Sequence, residues 1–90
     1  MSNQTIKFDE RKQNQPIKFD GGTNEVCEGC TVNLEHNGVT IAVRLDTCQG
    51  NVWTGEITEF PNNDGETTVG KLKIGTTIKF EEKHIFRCAA

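Results

Sequence analysis

The chain has 90 residues, of which 33% are apolar and 26% charged, with nine glycines, two prolines and a formal net charge of -3. That supports one domain with a thin core, and the composition is neither low-complexity nor collagen-like. The acidic balance disfavours nucleic acid and anionic membranes as partners, because phosphate contact dominates nucleic-acid affinity, and no apolar run is long enough to cross a bilayer.

Residues 1–20 are rich in Gln, Asn and Lys and hold few large apolar groups. They carry IKFD at 6–9 and again at 17–20, and IKFE follows at 78–81. Each copy runs apolar, basic, aromatic, acidic, which is the alternation of a strand. The segment is predicted to be a tail that is flexible or adds as an edge strand, to its own sheet or a neighbour's. Pro16 is tolerated at the start of such a strand. The opening MSNQTIKFDERKQNQ has no apolar stretch of a secretory signal. The expected compartment is the cytoplasm, where Cys27, Cys30, Cys48 and Cys88 stay reduced.

Gly21-Gly22 punctuates the chain, and residues 21–90 are predicted as the ordered domain. In CTVNLEHNGVTIAVRLD, Val32 and Leu34 alternate with polar residues. Asn37-Gly38 is a strong hairpin signal, because a type I′ turn needs positive φ at both central positions. Val39, Ile41, Val43 and Leu45 then share one face, and Thr40, Ala42, Arg44 and Asp46 the other. DTCQGN reads as a turn. NVWTGEITEF reads as a third strand with broken parity: Val52 and Phe60 fall on one side, Trp53 and Ile57 on the other. Gly55 between them suggests a bulge. PNNDGETT is a loop. VGKLKIGTTIKF is a hairpin or a bent strand around Gly75, EEKH a single helical turn, and IFRC a last short strand.

No window has the period of an amphipathic helix, and turn signals return every dozen or so residues. The prediction is an all-β fold, a small barrel of five or six strands. GNVWTGEI at 50–57 and LKIGTTIKF at 72–80 resemble the SH3-like group of small barrels over residues 26–88. That resemblance implies a turn–strand cadence leading to a one-turn helix and a terminal strand. The group includes peptide binders, modified-lysine readers, RNA-binding rings and enzyme subdomains, so it restricts function little.

Cys27-x-x-Cys30 admits three readings. A zinc clasp needs four ligands, with His84 and Cys88 as the candidate second pair. Gly29 lies between the cysteines rather than after the second, unlike the usual knuckle. On one extended strand His84 and Cys88 would stand roughly 13 Å apart, so they can chelate together only if HIFRC is helical or tightly turned. A redox pair gains its low pKa at a helix N-terminus, but a strand follows Cys30, and Glu25 and Glu28 would raise a thiol pKa. The third reading is packing: Cys30 shares parity with Val32 and Leu34, and Cys88 with Phe86.

Ser2 is the only serine and tyrosine is absent, which leaves little for nucleophilic catalysis beyond a cysteine with His36 or His84. Glu81 and Glu82 are adjacent and point apart in any regular structure. No glycine-rich phosphate loop is present. Trp53 is either the largest core residue or an exposed platform rimmed by Phe60, Arg44, Asp64 and Glu66, a setting for a cationic partner.

The reading that follows is a non-enzymatic binding or assembly module whose partner is another protein or a second copy of itself, with no cofactor. One alternative is a zinc-stabilised or thiol-switch protein using Cys27 and Cys30 with Cys48, Cys88 or His84. Another is a nucleic-acid-binding barrel using Lys71, Lys73, Lys79, Lys83 and Arg87, although lysines on strand edges also block aggregation.

Overall fold

The computed structural model describes residues 8–12, 14–22, 25–62, 65–70 and 72–89. The chain is all-β. Its strands are β1 (Lys18–Asp20), β2 (Thr31–His36), β3 (Val39–Gln49), β4 (Val52–Glu59), β5 (Thr68–Val69), β6 (Leu72–Lys73), β7 (Thr77–Glu81) and β8 (Arg87–Ala89), with one 3₁₀ turn, Glu82–His84, between the last two. Six strands form one sheet in the order β1-β8-β2-β3-β4-β7, and β5 and β6 form a separate hairpin. The single turn falls within EEKH, and the final strand shares only Arg87 and Cys88 with the predicted IFRC strand, running on to Ala89.

The sheet is not closed into the barrel that the sequence suggested. Both edges of β8 are taken, by β2 and by β1. β7 is therefore left at one end of the ladder and β1 at the other.

The hairpin at the centre forms as its residues dictate. Asn37 has φ 51° and Gly38 φ 84°, as a type I′ turn requires. The turn sets the register Val32↔Val43 and Leu34↔Ile41, so each strand's apolar set meets the other's. All four are fully buried. Cys30, Leu45, Ile57, Phe60, Leu72, Ile78, Phe80, Ile85 and Cys88 complete the buried cluster with Phe8.

Two details differ from the sequence reading, for one reason. β3 does not end at Leu45 but runs on to Gln49, and the turn is the Gly50-Asn51 pair alone. The register shifts between Leu45 and Thr47, which leaves Asp46 as an extra residue on β3. It shifts again between Ala42 and Val43, which leaves Thr58 extra on β4. Gly55 is not the bulge; it pairs with Leu45 and Ile78. The extra residue at Thr58 re-phases β4, so Ile57 and Phe60, three apart, both point inward. The Thr58 hydroxyl donates to the Ala42 carbonyl at 3.3 Å across this irregularity.

The N-terminal stretch joins the same body. Phe8 is 6% exposed and meets the rings of His36, Phe80 and His84 edge-on or tilted, at 6.2, 6.5 and 6.0 Å between centroids. The Asp9 amide donates to the Glu35 carbonyl and the Arg11 amide to the Lys83 carbonyl. The chain then returns, and β1, from the second IKFD copy, runs parallel to β8 as the outermost strand. Ile6 and Lys7 of the first copy lie outside the described residues.

Candidate functional site

Trp53, Phe60 and Arg44 do not form one surface. Trp53 is half-buried on β4, between Cys48 of β3 and Phe80 of β7 in register, and packs against the core. Phe60, re-phased by the bulge at Thr58, is 3% exposed and belongs to the core. Arg44 is exposed on the other face of the sheet, where Nη2 meets Glu56 Oε1 at 3.1 Å and Nε meets Asp46 Oδ1 at 3.9 Å. Asp64, the centre of the acidic rim, lies outside the described residues. The exposed large apolar side chain among the described residues is Val52, at 38%.

The basic residues are similarly divided. Lys83 Nζ pairs with Glu10 Oε2 at 3.3 Å, and Arg87 pairs with Asp20. Lys73 and Lys79 carry no ion pair among the described residues, and Lys71 lies outside them. Of the five basic residues in the last third of the chain, Lys83 and Arg87 are thus each paired with a carboxylate.

The cysteines are the chemistry-bearing residues that the fold does gather. Cys27, Glu28, Gly29 and Cys30 make a turn closed by the Cys30 amide donating to the Cys27 carbonyl at 3.2 Å. Gly29, with φ 87°, supplies the positive φ that the third position of a type II turn requires. The turn is fixed to β3: the Gly29 amide donates to the Leu45 carbonyl at 2.9 Å, and the Leu45 amide to the Cys30 carbonyl at 2.8 Å. The Cys27 and Cys30 sulfurs stand 2.9 Å apart. Cys27 is exposed, whereas Cys30 and Cys88 are buried. Cys88, on β8, lies in register with Val32 of β2 and Phe19 of β1. Its thiol reaches the Glu25 carbonyl at 4.0 Å and lies near enough to Cys30 for that thiol to raise its pKa.

Three thiols thus lie near one another, drawn from the turn and from a strand 58 residues further along. Burial, then the neighbouring Cys30 and Cys27, pushes the Cys88 thiol up to about 11. The hydrogen bond with Cys30, then desolvation, then the charges of Cys30, Glu25 and Glu28 raise Cys27. Neither thiol is activated as a nucleophile would be.

His84 does not join them. It closes the 3₁₀ turn in a reciprocal cap: its Nδ1 accepts the Glu81 amide at 3.0 Å, and the Glu81 carboxylate accepts the His84 amide. Cys48 is also apart, exposed and donating to the Gly50 carbonyl at 3.4 Å. Among the described residues no group of three or more His, Cys, Asp or Glu is arranged to hold a metal ion, and none of their helices is long and apolar enough to cross a membrane.

The proximity of Cys88 to the Cys27–Cys30 turn carries no local signal, because β2–β8 pairing creates it. Its inward parity was the one trace available.

The two outermost strands share a feature. β1 ends the ladder with Lys18-Phe19-Asp20 after Ile17, and β7 ends it with Ile78-Lys79-Phe80-Glu81 after Thr77. The repeated tetrapeptide therefore occupies both open edges. Comparison with known protein families, with curated proteins and with solved structures finds no match for this chain.

Proposed function

We propose that the protein is a non-enzymatic assembly module that joins copies of itself edge to edge. The strand order, with a one-turn helix before the last strand, supports kinship with the SH3-like small barrels, here with the sheet left open. The observation that carries the proposal is the shared Ile-Lys-Phe-acid sequence at both edges.

The pairing follows from the sequence. Two such strands laid antiparallel about their phenylalanines set the lysine of each opposite the carboxylate of the other. Each opposite-charge cross-strand pair contributes roughly 0.2–1 kcal/mol, and the backbone ladder adds to that. Joining the same edge of two copies is an isologous contact and closes as a dimer, whereas β1 on β7 would be heterologous and propagate. Lysine on an edge repels an arbitrary strand. It accepts one that offers an acid at that place, which gives selectivity by mismatch.

Sedimentation across a concentration series tests this. Oligomers are expected to grow with concentration, and Lys18→Glu or Lys79→Glu is expected to weaken them, with restoration by Asp20→Lys or Glu81→Lys in the same strand. A chain that stays monomeric throughout, or oligomers indifferent to both reversals, would refute it.

A further inference from the structure

We infer that Cys27 and Cys30 form a reversible disulfide by exchange with a small-molecule disulfide, so that the turn before β2 is a two-electron redox site. This does not depend on edge assembly.

The geometry supports each step. A disulfide needs two sulfurs already near one another and little backbone movement. Here the two sulfurs touch, at 2.9 Å. The turn that holds them is fixed by three backbone hydrogen bonds, one within it and two to Leu45. Exposure sets the order of events. Cys27 is the exposed thiol, and Cys30 and Cys88 are covered, so an incoming disulfide reaches Cys27 first.

The Cys27 thiolate attacks one sulfur of that disulfide, forming a mixed disulfide and releasing one thiolate. The Cys30 thiolate then attacks the Cys27 sulfur, forming the Cys27–Cys30 bond and releasing the second thiolate. The two protons from Cys27 and Cys30 end on the two released thiols. The incoming disulfide is reduced by two electrons, and the cysteine pair is oxidised by two.

Cys88 does not compete for the first step, since it is fully buried and burial holds its thiol far above neutral pH. The raised Cys27 thiol makes the exchange slow at neutral pH and faster as the solution becomes alkaline.

The test uses the full chain with oxidised glutathione at alkaline pH, followed by alkylation, trypsin and mass spectrometry. Residues 19–44 contain no internal lysine or arginine and hold both Cys27 and Cys30, while Cys48 and Cys88 fall in other peptides. The expected result is a 19–44 peptide lighter by two hydrogens and unalkylated, with Cys48 and Cys88 alkylated. In the Cys30→Ser variant the glutathione adduct should instead persist on Cys27, because the resolving thiol is gone. A lasting adduct on Cys27 of the unaltered chain, a bond from either cysteine to Cys88, or a pair that stays reduced where the urea-unfolded chain oxidises would each overturn the proposal.

Discussion

Replacing Gly55 with alanine tests the reading of β4 most sharply. Gly55 is not needed for positive φ; it is needed for room. A Cβ built there would stand 2.5 Å from Val43 Cγ1 and 2.7 Å from the Arg44 carbonyl oxygen. Ordinary carbon–carbon contact is about 3.5–4.0 Å, so β3 and β4 would have to separate by roughly 1 Å. Neither neighbour can yield cheaply. Val43 is fully buried and in register between Val32 and Ile57, and the Arg44 carbonyl is backbone in the middle of the sheet. Overpacking of this kind costs about 1–3 kcal/mol, and rigid neighbours place Gly55→Ala near the upper figure. Alanine returns roughly 0.5–1 kcal/mol by restricting the unfolded chain, so about 2 kcal/mol of destabilisation remains. For a domain of this size that lowers Tm by roughly 8–16 °C. Thermal unfolding followed by circular dichroism reads the loss without relying on Trp53, which lies two residues away. An unchanged or raised Tm would refute the close approach of β3 and β4.

Phe8→Ala should cost about 3–5 kcal/mol, the range for a buried phenylalanine, in urea unfolding; a loss within error would mean that the N-terminal stretch is not part of the core. Gly38→Ala places a side chain at φ 84° and should cost about 1–2 kcal/mol, whereas Gly38→Asn should cost less because asparagine tolerates this region better. Burial first, then the Lys83 charge, lowers the His84 pKa against the opposing pull of Glu10 and Glu81, and a doubly protonated ring could no longer accept the Glu81 amide. The unfolded chain then binds more protons at this group, so its contribution is intact above the ordinary histidine value of about 6.5 and is lost as pH falls through the lowered folded value. The His84→Asn variant should flatten the fall of the urea midpoint over that window; an identical slope would remove His84 as its source.

What the sequence disclosed was local. Asn37-Gly38 named its own turn, and the alternation of Val32, Leu34, Ile41, Val43 and Leu45 named the buried face, because both signals lie within one hairpin. Phe60 was misplaced for a different reason. Its direction depends on the extra residue at Thr58, which has no glycine to announce it and arises from how β4 fits β3. Asp46 to Gln49 look like a turn by composition, yet pairing of Cys48 with Trp53 and of Gln49 with Val52 keeps them in the strand. The IKFD echo was visible as a strand period, but its place at both edges of one sheet follows only from the order of strands. Cys88 met Cys30 through pairing between the second strand and the last, which no window of sequence contains.

That last meeting connects the two proposals and separates them by experiment. Cys88 lies in register with Phe19, so the thiols adjoin the β1 edge and not the β7 edge. A Cys27–Cys30 bond would close a turn that the Cys30 amide already closes and that Leu45 already fixes. It requires no movement of β8, and hence none of β1. The oligomer distribution should therefore be the same for reduced and oxidised protein, whichever edge is used. A bond between Cys30 and Cys88 would instead tie β2 to β8 beneath β1 and disturb the neighbouring strand. Sedimentation of both forms at one concentration decides this. Assembly that shifts on oxidation, with the 19–44 peptide lacking its internal bond, would place the reactive pair at Cys30 and Cys88 and the joining surface at β1.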